Sequence, residues 1–339
     1  MTVVAADRLS RDFVVGRGSD GRDLVLKAVN AVSFHIDAGE TLGLVGESGS
    51  GKSTTGRMLV GMLPPTSGAL SLFGEPVTPQ NHRHTFARLR QRVQFVFQDP
   101  ASALDPRMRV GTSIAEPLRA AGGMTRADRA GRVAELLEMV GLPKHAAERY
   151  PHEFSGGQRQ RIVIARALAL RPQFLVCDEP VSALDVSMQA QIINLLLDLQ
   201  QSFGLAYLFV AHDLAVTRAV STRVAVMYAG SIVELAPRRA LYQTPLHPYT
   251  RALLAAVPRP DPLAPRRDII AGEVPSLLNP PPGCIFAARC PLVMDRCRTE
   301  IPAARAAGDG HTVACHAYGS REDKMLLFVN KKKQKTFSV

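Results

Sequence analysis

Thr41 to Val45 reads as a buried strand, and Gly46-Glu47-Ser48-Gly49-Ser50-Gly51-Lys52-Ser53-Thr54 follows it and opens a helix, expected from Lys52 to Leu63. A strand, a glycine-rich turn and a helix come here in that order. It is the context that marks a phosphate-binding P-loop. Glycine at Gly46, Gly49 and Gly51 lets backbone N–H groups approach phosphate oxygens with no β-carbon in the way. The helix N-terminus adds partial positive charge. Lys52 is placed to neutralise the β- and γ-phosphates of a nucleotide, and Ser53 to offer its hydroxyl to Mg²⁺. Ser48, Ser50 and Thr54 complete the expected cofactor-binding loop.

The rest of the chain is consistent with an α/β fold of the P-loop NTPase type. Val32 to Ile36, Arg92 to Phe97, Phe174 to Cys177, Ala206 to Val210 and Arg223 to Met227 read as further strands. From Asp99 to about Arg171 the pattern turns helical, with Val133, Leu136, Leu137 and Val140 at helical spacing. That stretch reads as an inserted helical subdomain. A second helix is expected from a cap at Asp185 or Ser187 through Gln201. Alternating strands and helices imply a largely parallel sheet wrapped by helices. Pro258, Pro260, Pro262 and Pro265 mark a linker, so about Arg259 to Gly319 reads as a small separate module.

Several further residues belong to the same chemistry. Leu175-Val176-Cys177-Asp178-Glu179-Pro180 ends a buried strand with two carboxylates. Asp178 is expected to hold Mg²⁺, and Glu179 to polarise the attacking water. Gln98 is placed to reach both metal and water, and His212, after the strand ending at Val210, to contact the γ-phosphate. Phe154-Ser155-Gly156-Gly157-Gln158 opens a helix whose free N–H groups form a second anion site. One chain holds one P-loop and one such second site. The second site therefore reads as completing a neighbour's pocket, with Asp185 at the same junction.

In this order, the motifs resemble those of the nucleotide-binding subunits of ABC transporters, over roughly Leu9 to Val257. Walker A, Q-loop, signature, Walker B, D-loop and H-loop are all present. The resemblance implies that Phe13 stacks on adenine, ahead of a long loop from Val15 to Leu24. Gln98-Asp99-Pro100, Leu246-His247-Pro248-Tyr249-Thr250-Arg251-Ala252-Leu253-Leu254, Pro280-Pro281-Pro282-Gly283-Cys284 and Ala288-Arg289-Cys290-Pro291 are similar to the dipeptide/oligopeptide and nickel importers. The nearest likeness is the second ATPase subunit of a dipeptide importer. One departure is mild: Phe154 stands where Leu is usual. The implied organisation is an ABC ATPase domain at 1–258 and a C-terminal extension at 259–319. A basic tail at 320–339 is expected to be disordered.

Cys284, Cys290, Cys297 and Cys315 are separated by five, six and seventeen residues. Four thiolates suit tetrahedral Zn²⁺ or a [4Fe–4S] cluster, and the spacing is neither a zinc ribbon nor a ferredoxin run. The family resemblance implies the iron–sulfur cluster. His311 and His316 are substitute zinc ligands.

The resemblance implies ATP-driven import of dipeptides, oligopeptides or related solutes. ATP would sit between Walker A of one subunit and the signature of another. The implied partners are a second ATPase subunit in a heterodimer, two transmembrane permeases and an extracytoplasmic substrate-binding protein. The site would be the cytoplasmic face of the membrane, because no run approaches a bilayer span and no signal-peptide core leads the chain. The net charge of +11 admits nucleic acid as an alternative partner. The basic residues are scattered, and Gln98 and Ser155 lie too close for a long coiled-coil insert, so no nucleic acid is expected. A second alternative is a module in which the cysteine site senses iron or redox state.

Overall fold

The computed structural model describes residues 1–19, 21–256, 272–308 and 310–318. The linker prolines Pro258, Pro260, Pro262 and Pro265 and the tail 320–339 lie outside the described residues. The strands are β1 (Thr2–Arg17), β2 (Asp23–Asp37), β3 (Thr41–Val45), β4 (Ser67–Leu72), β5 (Glu75–Val77), β6 (Val93–Val96), β7 (Phe174–Asp178), β8 (Ala206–Ala211), β9 (Arg223–Tyr228), β10 (Ser231–Pro237), β11 (Arg305–Gly308) and β12 (His311–Val313).

The larger sheet has the order β11-β12-β10-β9-β3-β8-β7-β6. From β9 to β6 neighbouring strands are parallel. Every residue of β3, β7 and β8 is buried, as expected of parallel strands covered on both faces. Because β3, β7 and β8 are adjacent, their C-terminal ends bring the P-loop, Asp178-Glu179 and His212 to one edge.

A second sheet, β2-β1-β4-β5, is antiparallel. Only Val32 to Ile36 of it carries an alternation that the sequence reveals. The stretch Val15 to Leu24, expected as a long loop, is strand at both ends: β1 runs to Arg17, β2 starts at Asp23, and Gly16 pairs with Leu24. This ribbon is largely exposed along residues 14–17, so it carries no apolar stripe to mark it. The helix expected to Leu63 closes at Leu59, with Val60 as its C-cap.

The insert consists chiefly of helices Val110–Ala121, Arg126–Met139 and Gly156–Ala167. Val133, Leu136, Leu137 and Val140 are buried in one cluster with Ile114, Leu118 and Ile162. Each such aliphatic side chain contributes about 1.5–3 kcal/mol when fully buried.

Among the described residues, 272–308 and 310–318 are continuous with the rest, not held apart from it. β12 pairs antiparallel with β10 and extends the large sheet. Cys284, Phe286 and Cys297 share a core with Val45, Val226, Tyr228 and Tyr249. Linker prolines made this segment look separate, because pairing across so long a sequence interval leaves no local signal.

Candidate functional site

Between β3 and the helix Lys52–Leu59 the chain turns through Gly51, whose φ is 100°. A β-carbon there would overlap the carbonyl oxygen of Ala28 as well as being strained. The Lys52 ammonium is held at 2.8 Å by the carbonyl oxygens of both Gly46 and Glu47. Burial lowers its pKa, against the pull of Glu179, Asp178 and Glu47. Ser53 Oγ donates to Asp178 Oδ1 at 2.8 Å. Burial raises the Asp178 carboxyl, against the Ser53 hydrogen bond.

Beside this loop two side chains meet at one carboxylate oxygen of Glu179. Gln98 Nε2 donates to Glu179 Oε2 at 2.9 Å. His212 Nδ1 lies 3.3 Å from the same atom. The backbone of Glu179 is in the left-handed region, φ 46°, and its N–H donates to Val210 O at 3.0 Å.

A cavity of about 460 Å³ is lined by Phe13, Leu26, Ala28, residues 48–54, Gln98, Glu179, His212 and Leu277. Phe13 comes from β1, and the Arg11 guanidinium stacks 4.6 Å from its ring centroid. Gly46 and Asp178 lie behind the lining.

Ser155, Gly156, Gly157, Gln158 and Asp185 do not line this cavity and gather at another junction. Ser155 caps the helix Gly156–Ala167 in a capping box with Gln158, accepting from its N–H at 3.3 Å. Gly157 packs against Met188, and Gly156 faces Leu184. Asp185 caps the helix Val186–Phe203 by accepting from Met188 N–H at 2.9 Å.

The cysteines converge without forming a ligand set. Cys284 N–H donates to Cys297 O at 2.8 Å. Burial raises the thiols of Cys284, Cys290 and Cys315, the last to about 11, and the neighbouring cysteines add to each shift. Among the described residues no group of three or more His, Cys, Asp or Glu side chains is placed to hold a metal ion. The expected [4Fe–4S] or zinc set is therefore not formed. The substitute ligands are committed elsewhere: His311 Nε2 to Glu234 Oε1 at 2.7 Å, and His316 Nε2 to Glu300 O at 2.9 Å.

Sequence reading missed Leu26, Ala28 and Leu277 in the cavity wall. Single apolar residues carry no motif. It also gave no role to Glu47, Tyr249 and Arg289, which meet behind the loop: Tyr249 OH accepts from Glu47 N–H at 2.9 Å, and Arg289 pairs with the Glu47 carboxylate at 2.9 Å. Tyr249 and Arg289 did stand in recognisable motifs.

Comparison with known proteins agrees with the fold and the order of motifs. Residues 29–182 match the family described as ABC transporter. Residues 233–297 match the oligopeptide/dipeptide transporter, C-terminal region. A protein of Brucella abortus (strain 2308), named for peptide import and ATP binding, is 65% identical over 317 residues, 94% of each chain. A Sinorhizobium fredii protein, named as a peptide ABC transporter ATP-binding protein, is 52% identical over 86% of this chain and 83% of its own. A dimeric post-hydrolysis ATP-binding cassette bound to ADP and Pi gives a TM-score of 0.61 at 28% identity, covering 70% of this chain and 99% of that one. CbiO1 from Clostridium perfringens, part of an ABC transporter complex, gives 0.62 at 25% identity over 72% and 91%. With the P-loop, the acidic strand end and the C-terminal region all in place, the chain belongs to the ABC transporter family of ATP-binding proteins.

Proposed function

We propose that this chain is the ATP-hydrolysing subunit of a membrane importer for dipeptides, oligopeptides or related small solutes. The observation that carries the catalytic reading is the convergence of Gln98 and His212 on Glu179 beside the Lys52 loop. Relatives named for peptide import support the substrate class.

Lys52 and the N–H groups of residues 48–54 bind the triphosphate, and Phe13 stacks on the adenine. Ser53, Asp178 and Gln98 would hold Mg²⁺; a hydroxyl, a carboxylate and an amide oxygen suit that hard cation, and Ser53 and Asp178 already touch. When bound, the ion would neutralise charge on the triphosphate. Glu179 polarises the attacking water, while Gln98 and His212 fix its carboxylate. Ser155, Gly156, Gly157, Gln158 and Asp185 complete the pocket of a second ATPase subunit. Closure follows because ATP contacts both subunits only in the closed pair. The solved cassette with a similar fold is a dimer.

Among the described residues no helix is long and apolar enough to cross a membrane. Two permeases would therefore form the path, with this chain on their cytoplasmic side and a binding protein delivering solute. A heterodimeric ATPase pair is the finer reading. The finer reading of a [4Fe–4S] cluster at Cys284, Cys290, Cys297 and Cys315 rests on the family resemblance alone, and no step depends on it. Iron and sulfide analysis of anaerobically purified protein tests it. The nucleic-acid alternative finds no support in the matching C-terminal region.

The test is Glu179→Gln. ATP binding should persist while turnover falls by about a hundredfold or more. Turnover near wild type would remove Glu179 from this role. ATP-dependent uptake of a labelled dipeptide into vesicles holding the assembled transporter tests the substrate class.

A further inference from the structure

We propose that Arg289, in the C-terminal segment, is a positioning residue for ATP binding, acting through Glu47 on the shape of the phosphate-binding loop. The proposal rests on reading residues 46–54 as the ATP loop, and it adds a control on that site from a distant part of the chain.

Glu47 is the second residue of the loop, and it is held on three sides. Arg289 Nη1 donates to Glu47 Oε2 at 2.9 Å, and Nη2 donates to Oε1 at 3.2 Å. The Glu47 N–H donates to Tyr249 OH, and the Glu47 carbonyl accepts from Lys52 Nζ. Arg289 also donates to Tyr228 OH at 3.2 Å. Its side chain is only 8% exposed against 28% for Glu47, so the guanidinium side of the pair is shielded from competing water.

A two-bond guanidinium–carboxylate pair fixes orientation as well as position. Orientation matters here. A glycine-rich loop samples many conformations, and only those with amides aimed inward bind phosphate. Holding the binding conformation in advance raises affinity by removing that ordering cost. The anchor itself is rigid. Phe286 lies 5.2 Å from the Tyr228 ring and 5.5 Å from the Tyr249 ring. The same segment reaches the cavity itself at Leu277, which lines it and whose carbonyl accepts from Lys27 N–H at 3.2 Å. The order of this cysteine-bearing segment is thereby coupled to nucleotide affinity.

Mg-ATP titrations of the full-length chain by calorimetry test the inference, using Arg289→Met, Glu47→Gln and the double variant. Each single change should raise the ATP Kd roughly tenfold, within the range reported for coupling through packed networks. The double variant should bind no more weakly than either single one, because both remove one interaction. Additive losses would sink the route through Glu47. A lowered melting point with unchanged Kd in the folded protein would reduce Arg289 to a structural residue and overturn the proposal. If Arg289→Met does not fold, Glu47→Gln alone decides: wild-type affinity there refutes it. Absence of ATP binding in the unaltered chain would instead refute the ATP-loop reading.

Discussion

At Glu179 the backbone is strained at the point where chemistry is expected. A φ of 46° costs a residue with a β-carbon about 1 kcal/mol, and glycine almost nothing. The turn carries the carboxylate out of β7 toward Gln98 and His212. The strain should be measurable apart from function. Glu179→Gly should exceed Glu179→Ala in stability by about 1 kcal/mol in denaturant titrations, while both lose turnover. Equal stabilities would show that the backbone relaxes on substitution. The carboxylate itself was legible from its place after an apolar run. Its backbone strain was not, because φ is set by what surrounds the turn.

Two helix starts carry predictions at the level of elements. Asp185 both caps the helix Val186–Phe203 and stands beside the signature residues. Asp185→Ala should cost about 1 kcal/mol of stability, whereas Asn retains the cap. Asp185→Asn should therefore melt like the unaltered chain, yet lower ATPase activity in the assembled transporter if this residue serves the partner's nucleotide. At the helix Pro248–Ala256, His247 Nδ1 accepts from Tyr249 N–H at 3.1 Å. Burial lowers the imidazole from 6.5 to about 4, with Glu234 opposing and Arg251 adding to the shift. Between those values the unfolded chain binds the extra proton. This contribution is complete above 6.5 and is lost as pH falls toward 4, amounting to roughly 3 kcal/mol. Melting points across that window should drop in the unaltered chain and drop less in His247→Asn, which keeps an acceptor. Identical slopes would remove His247 as the cause. Glu234 acts lower. Burial alone would raise its carboxyl, but bonds from His311 and the amides of Leu246 and His247 help hold it below 4.5. Its contribution is lost only as pH falls below that value.

Across the whole molecule the C-terminal segment and the nucleotide-binding fold share one sheet and one core. The buried Glu234–His311 pair, at 2.7 Å, joins β10 to β12. Leaving a buried hydrogen-bonding group without its partner typically costs about 1–3 kcal/mol, more when that group is charged. His311→Leu should lower stability by about 3 kcal/mol in a single thermal transition that takes the segment and the nucleotide-binding fold together. Two transitions would mean that the segment folds by itself. The helical insert was legible because its apolar spacing is local, as Val133, Leu136 and Leu137 show. The antiparallel sheet was mostly hidden. β4 and β5 are short, and β1 reads as polar at many positions because one face meets solvent.

By itself, the order of residues pointed to the chemistry: a loop suited to phosphate, a strand end with two carboxylates, a capped helix start proposed for a second anion. Each is a contiguous string whose function depends on backbone shape over a few residues, and such shape is encoded locally. Tertiary structure alone decided which strings meet. It set Gln98 and His212 on Glu179, left Ser155 and Gly156 off the cavity, and drew Arg289 across 242 positions to Glu47. Those meetings depend on strand order and on burial summed over the whole chain, which no short stretch of sequence contains.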